Sequence, residues 1–361
     1  MRILDRYTLK NAALGYFFVL AIFIGLFFLV DTFSNLSDIL KSKTPPLILA
    51  RYYLGMIPWI FKWVSPFAIL ISMLYTLGEL NRSNEIVGMR SAGVSIIALS
   101  MPLILFSLII SFLGFYLQEE VLINSQKKVE EIKRRFIKKN LEESSLERNF
   151  KFASGNLIFF ALEFSPKEKT LTDVAIFQED EHGNFIKEMI CKDITYQDQK
   201  WVANLVKENL FDKNGLRIDS QTLAKKEIAL AENPQELLLK KSILLEFRPL
   251  KDLKREIRQL KKIGSQEKLK EMIIQYNQKL ADPFSHFFLI IGILPFALEI
   301  KKRKVGLTSL GVGFIFGFIY YFIASFSIAL GKSGIILAFL SPWMAPLFFL
   351  TIGITGLALI R

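Results

Sequence analysis

The chain has 361 residues, 52% of them hydrophobic, a mean hydropathy of +0.35 and a net charge of +12, values that exclude an ordinary soluble domain. One cysteine, Cys191, excludes an internal disulfide, and two histidines, His182 and His286, leave no basis for a histidine metal site. No zinc-finger, RRM or other nucleic-acid signature accompanies the positive charge, so nucleic acid is excluded and an anionic membrane surface is the indicated partner.

Uncharged runs occupy residues 12–30, 63–78, 91–118, 283–298, 305–331 and 333–360. A membrane-spanning helix needs roughly 20 apolar residues, so four runs span outright. The runs at 63–78 and 283–298 reach that length by extending through Ile57 to Phe61 and through Ala281. Six transmembrane helices are predicted. The first is too long for a signal h-region, and "FFLVDTFSNL" offers no small-residue cleavage site, so it is expected to remain as an anchor. Arg2, Arg6, Lys10, Arg82, Arg90, Lys301 to Lys304 and Arg361 fall on one side of the membrane. Lys41, Lys43, Arg51, Lys62 and Lys332 fall on the other. That twofold bias predicts both termini cytoplasmic.

Between the second and third runs lies "LGELNRSNEIVGMRSAGVS", residues 77–95. It lacks proline and spaces Leu80, Ile86, Val87 and Met89 among Glu79, Arg82, Glu85 and Arg90. This predicts a cytoplasmic amphipathic helix near 79–92, either an ordinary solvated face or a handle for a soluble partner. Gly88, Ala92 and Gly93 would allow close approach.

After the third span the composition changes. Residues 119–148 read as an amphipathic helical connection. Residues 149–248 contain "NFKFAS", "NLIFFALEF", "TLTDVAIFQ", "FIKEMICKDITYQ", "KWVANLVKE", "GLRIDSQTL" and "SILLEF", divided by turn signals such as Ser165-Pro166 and Lys213-Asn214-Gly215. Regular short strands predict an all-β sandwich, jelly roll or open barrel. Cys191 is expected to be a packing residue. Residues 249–280 return to helical spacing, with Leu250, Leu253, Ile257 and Leu260 on one face. The predicted domains are therefore 1–118 with three spans, the inserted segments above, and 281–361 with three more.

Catalytic motifs are missing: there is no HExxH and no GxSxG. The tripeptide Gly331 to Ser333 fails as a phosphate-binding loop because Phe326 stands where the first glycine belongs. His286 reads as an interfacial polar residue or, less simply, a proton relay. Phe159, Phe160, Leu162 and Phe164 are candidates for an apolar groove, or for a sealed core. Gly313 and Gly317 have the spacing of close helix contact, with a partner subunit or with neighbouring spans.

"PFAILISMLYTLGELNRSNEIVGMRSAGVS", Pro66 to Ser95, resembles the signature of the LptF/LptG permease family of lipopolysaccharide export. "LDRY" at Leu4 to Tyr7, "YNQKLADPF" at Tyr276 to Phe284, and the layout of three spans, a large domain and three spans agree with it. Details lean towards LptG. The resemblance implies a fold, six spans with an inserted periplasmic β-jelly-roll domain in the bacterial inner membrane. It also implies partners: an LptB-like ATPase dimer that uses ATP and Mg, a sister LptF-like permease or a second copy, and LptC/LptA-like bridge proteins. The chain itself would bind no cofactor and would not be an enzyme. Lipopolysaccharide would be the substrate. By motif Glu85 would dock into the ATPase, with Arg82, Gly88, Met89 and Arg90 around it. Lys41, Lys43, Arg51 and Lys62 would meet the anionic headgroup, although Asp31 is followed by "TFSNLSDIL" where relatives often carry lysines. Acyl chains would run along Phe159, Phe160, Leu162 and Phe164. A membrane scaffold or regulator whose outer domain binds a protein stands as the alternative. A headgroup-modifying enzyme finds no paired His, Cys or carboxylate cluster.

Overall fold

The computed structural model describes residues 3–137, 147–154, 157–179, 185–197, 200–211, 217–228, 249–263, 266–299 and 305–359, with isolated positions between 230 and 237. Contacts divide the chain into two units. One comprises 1–36, 53–126 and 249–361, and the other 37–52 and 127–248.

The first unit is a helical bundle. Helix α1 covers Ile3–Ser34, α2 Leu36–Ser42, α3 Pro46–Arg82, α4 Glu85–Ser91, α5 Ile96–Tyr116 and α6 Leu122–Ile132; of these, residues 37–52 and 127–132 belong to the second unit. After the inserted domain come α7 (Leu250–Ile263), α8 (Gln266–Ala281), α9 (Ser285–Glu299), α10 (Val305–Ser333) and α11 (Met344–Leu359). Six stretches are long and apolar enough to cross a membrane: Ile3–Ser34, Pro46–Arg82, Ile96–Ile132, Glu267–Leu298, Val305–Ser333 and Ser341–Leu359. The expected spans are present, with two boundary changes. The second begins at Pro46, because Arg51 and Lys62 interrupt the apolar run without breaking the helix. The sixth begins near Ser341 instead of 333. Gly334 adopts a left-handed φ of 84°, and a short 3-10 turn at Ser341–Trp343 precedes α11. Pro58 and Pro66 lie inside α3, as tightly packed neighbours allow.

The bundle core joins Ala12, Tyr16 and Leu20 of α1 to Ile69, Leu70, Met73 and Leu74 of α3, Leu103 of α5, Ile290, Ile293 and Leu294 of α9, and Phe349 of α11. Small residues let helices meet backbone to backbone. A Cβ on Gly292 would lie 2.6 Å from Phe349, and one on Gly353 would collide with the carbonyl oxygen of Ile291.

The second unit holds an antiparallel six-stranded meander in which every strand pairs with its sequence neighbours. The strands are β1 (Glu147–Ser154), β2 (Leu157–Ser165), β3 (Thr170–Glu179), β4 (Phe185–Gln197), β5 (Lys200–Phe211) and β6 (Arg217–Ile228). Six of the seven predicted strands appear; "SILLEF" lies outside the described residues, as does the basic run Lys301 to Lys304. The strands described are consecutive neighbours, with none of the crossovers of a jelly roll among them.

One feature of the register crosses the whole sheet. The ladder skips Asn149 opposite Leu162, Leu162 opposite Asp173, Asp173 opposite Lys192, Lys192 opposite Leu205, and Leu205 opposite Ala224. Asp173 and Leu205 take left-handed φ values of 49° and 50°. The inward parity inverts at this row: Phe159 and Ala161 point in before it and Phe164 after it, as do Trp201 and Ala203 before and Val206 after. Aligned irregularities of this kind bend a sheet and re-aim its side chains. Residues on both sides of the crease share one core, with Phe150 packed on Phe164 at 4.9 Å between ring centroids.

Candidate functional site

The connection between the second and third spans is the first candidate. Helix α3 ends at Arg82, and Asn84 in a left-handed conformation (φ 58°) reverses the chain into α4. Helix α4 ends in a Schellman-like turn: Gly93, at φ 85°, donates its amide to the Arg90 carbonyl, and Val94 donates to Met89. Ser95 then caps α5, accepting from the Ala98 amide at 3.2 Å. The expected helix near 79–92 is thus two pieces, with 79–82 belonging to the second span.

The predicted coupling residues divide by exposure. Ile86 and Met89 are buried in the bundle core, so Met89 anchors the segment instead of presenting itself to solvent. Arg82, Gly88 and Arg90 are exposed, and nothing lies within 4 Å of a Cβ placed on Gly88. Glu85 is half-buried, and its carboxylate accepts from Ser83 Oγ at 2.9 Å. Arg82 pairs with Glu79. Beneath this surface the buried Asn81 donates Nδ2 to the Leu298 carbonyl at 2.8 Å. That bond ties the connection to the far end of α9, across 217 residues of sequence; sequence spacing gave no sign of it.

A second polar constellation sits at the other end of the bundle. His286 is buried within the bundle at 2% exposure. Its Nδ1 lies 2.7 Å from the Pro283 carbonyl oxygen, which can only accept, so Nδ1 carries the proton. In the neutral ring Nε2 then accepts from Ser65 Oγ at 2.8 Å, and Ser65 Oγ accepts from Tyr16 at 2.8 Å. This chain joins α1, α3 and α9. Close by, Lys62 stands 3.8 Å from Asp282, and Lys279 pairs with Glu119 at 2.6 Å. Gln118 donates to the Lys279 carbonyl at 2.9 Å.

The four predicted headgroup residues fall in different units. Lys41, Lys43 and Arg51 are exposed in the second, and Lys62 is half-buried in the first with Asp282 as its partner. The four groove candidates do not share a surface. Phe159 and Phe164 are fully buried in the sheet core, where Phe159 stacks on Phe152 at 4.5 Å. Phe160 lies on the opposite face against Phe177 at 5.7 Å, and Leu162 is exposed on the crease. Gly313 and Gly317 pack within the chain. A Cβ on Gly313 would lie 2.8 Å from Ile71 and one on Gly317 would collide with the Phe67 ring, both on α3. Among the alternatives, neighbouring spans explain them.

The sheet also buries a charge that sequence reading missed. Glu208 is 1% exposed and accepts from Lys187 at 2.9 Å, from Gln221 at 3.0 Å and from Lys226. Burial pushes its carboxyl up, but bonds from Lys226, Lys187 and Gln221 outweigh that and hold it down at about 2. Cys191 is buried in the core as expected, its thiol pushed up to about 11 by burial and then by the Glu208 and Asp193 charges. Among the described residues no group of three His, Cys, Asp or Glu could hold a metal.

Six spans, a folded domain inserted between the third and fourth, and a short anchored helix between the second and third define a multi-pass membrane protein. The chain belongs to the LptF/LptG family, whose model, described as lipopolysaccharide export system permease LptF/LptG, matches residues 6–359. That match covers both branches without separating them. A search of curated proteins finds no match.

Proposed function

We propose that the chain is one of the membrane subunits of an ATP-driven exporter, moving lipopolysaccharide out of the bacterial inner membrane. The observation that carries this reading is the coupling segment. Arg82, Gly88 and Arg90 are exposed on an element that Ile86, Met89 and the Asn81–Leu298 bond hold rigidly to the bundle. A force applied to such a segment passes to α9 without being absorbed by a flexible loop. Glu85 docks the LptB-like ATPase dimer, which supplies ATP and Mg chemistry. An interfacial ion pair is worth a few kcal/mol when desolvated and far less at a rim.

A sister permease, LptF-like or LptG-like, or a second copy covers the apolar faces of the first and fifth spans. Lys41, Lys43, Arg51 and Lys62 serve the anionic headgroup. The acyl chains enter the sheet core, where Phe159 and Phe164 line the apolar interior, and LptC/LptA-like bridge proteins receive them. The sheet domain is periplasmic in this reading and both termini are cytoplasmic.

Purification of the full chain from its native membrane in mild detergent, with identification of bound subunits and lipid, tests the proposal. A soluble ATPase, a second permease and lipopolysaccharide are expected together. ATP hydrolysis by the purified chain alone would contradict it.

A further inference from the structure

Helix α7 lies outside everything assigned above. The Leu250 amide at the start of α7 donates to Glu119 Oε2 at 3.1 Å, and Glu119 pairs with Lys279 in the last turn of α8. The start of α7 therefore lies beside the end of α8, and the two run antiparallel. Helix α8 continues through Asp282–Phe284 into α9, within one stretch from Glu267 to Leu298. A hydrocarbon core of about 30 Å takes about 20 residues of that stretch, counted back from Leu298 to the neighbourhood of Gln278. Helix α7 thus begins near the membrane surface and climbs away from it.

Its charges are sorted. At 100° per residue, Leu250, Leu253, Ile257 and Leu260 fall within an arc of about 80°. Lys251, Lys254, Arg258 and Lys261 fall within a second arc of about 80°, and Asp252 and Glu256 lie off it. Leu253 is buried, whereas Lys251, Lys254, Arg258 and Lys261 are all exposed. From Lys251 to Lys261 the stripe rises about 15 Å. A helix lying flat would bring all four cations to the single depth of phospholipid phosphates. An upright one offers them at successive heights, which suits a ligand whose anionic groups are spread along a tall headgroup.

We infer that the exposed face of α7 is a docking stripe for the phosphorylated sugar headgroup of an anionic glycolipid as it leaves the membrane plane. This rests on the proposed export function and adds a place on the chain where the headgroup is held after extraction. Coulombic attraction to several phosphates gives the stripe its affinity, so binding weakens with salt.

The test uses the full-length chain in nanodiscs of phosphatidylcholine. Three probes are titrated: lipopolysaccharide, the same lipid after phosphatase treatment, and short-chain phosphatidylglycerol. Exposed cations each add a modest Coulombic attraction to an anionic ligand, so combined Lys251→Glu, Lys254→Glu, Arg258→Glu and Lys261→Glu substitutions should weaken phosphorylated lipopolysaccharide about tenfold or more. Binding of the other two probes should not change. A photo-crosslinker at Lys254 of the otherwise wild-type chain, which needs no charge-reversed variant to fold, should capture the phosphorylated glycolipid. Unchanged lipopolysaccharide affinity in a folded variant, an equal loss for phosphatidylglycerol, or capture of phospholipid alone overturns the inference and leaves the export reading standing. Failure of the wild-type chain to bind lipopolysaccharide at all overturns both.

Discussion

The first and fourth spans are both apolar enough to cross a membrane and meet opposite fates. Only 11% of the first span's most apolar window is buried within the chain, against 67% of the fourth's. Yet the fourth carries the polar groups: Asp282, Ser285 and His286 sit in or beside it, whereas Leu14, Phe18, Leu26 and Phe33 of the first are exposed. In water this would be inverted. In lipid, apolar side chains gain nothing by leaving the surface, and polar groups and small residues are what helices bury against one another. The fourth span is the bundle's axis, and the first is a face open to lipid or to another subunit.

Four substitutions break or sharpen that contrast, taken from the largest expected effect. Gly353→Leu drives a side chain into the Ile291 backbone, at the contact between the fourth and sixth spans. Overpacking against a backbone that cannot move should cost about 3 kcal/mol or more. Loss of monodisperse, folded protein in detergent is the readout. Glu208→Gln asks whether burying charge follows the same rule outside the membrane. It leaves Lys187 and Lys226 facing a neutral group, at a cost of about 3 kcal/mol, which hydrogen exchange in β4–β6 of the full chain would register. The pH dependence has a definite sign. The carboxyl falls from 4.5 to about 2 on folding, so its contribution is complete above pH 4.5 and is lost as pH drops towards 2.

Ser65→Ala removes the link between Tyr16 and His286, leaving two buried polar atoms without partners. A loss of about 1–2 kcal/mol in thermal stability is expected, recovered in part by Ser65→Thr. Gly25→Leu, on the first span, meets nothing within 4 Å. It should change the stability of the isolated chain by less than about 0.5 kcal/mol. Equal damage from Gly25→Leu and Gly353→Leu would erase the distinction between the two spans.

Local periodicity made the spans and the strands legible, because period and length are local properties. The polar contacts that tie the spans together are not local. Tyr16 meets Ser65 across 49 residues, and Ser65 meets His286 across 221. Serine and tyrosine in an apolar run carry no mark of their partner. The crease was equally hidden: Asp173 and Leu205 occupy left-handed positions where glycine would have been the signal. The apolar run in β2 offers Phe159, Phe160, Leu162 and Phe164 as a groove or a sealed core, but the parity change at Leu162 and the pleat itself put them on different surfaces. The family motif groups Met89 with the docking residues, but its burial follows from where α1 and α5 pack.

The direct test is Glu85→Lys in the full chain, expressed with the ATPase and sister permease proposed as its partners. The substitution reverses charge on a half-buried side chain that accepts from Ser83 Oγ at the bundle's surface, so the bundle should still fold. We expect the soluble ATPase to be lost from the purified complex and lipopolysaccharide to stay in the inner membrane. A folded Glu85→Lys chain that retains the ATPase and exports lipid at the normal rate would contradict coupling through this segment.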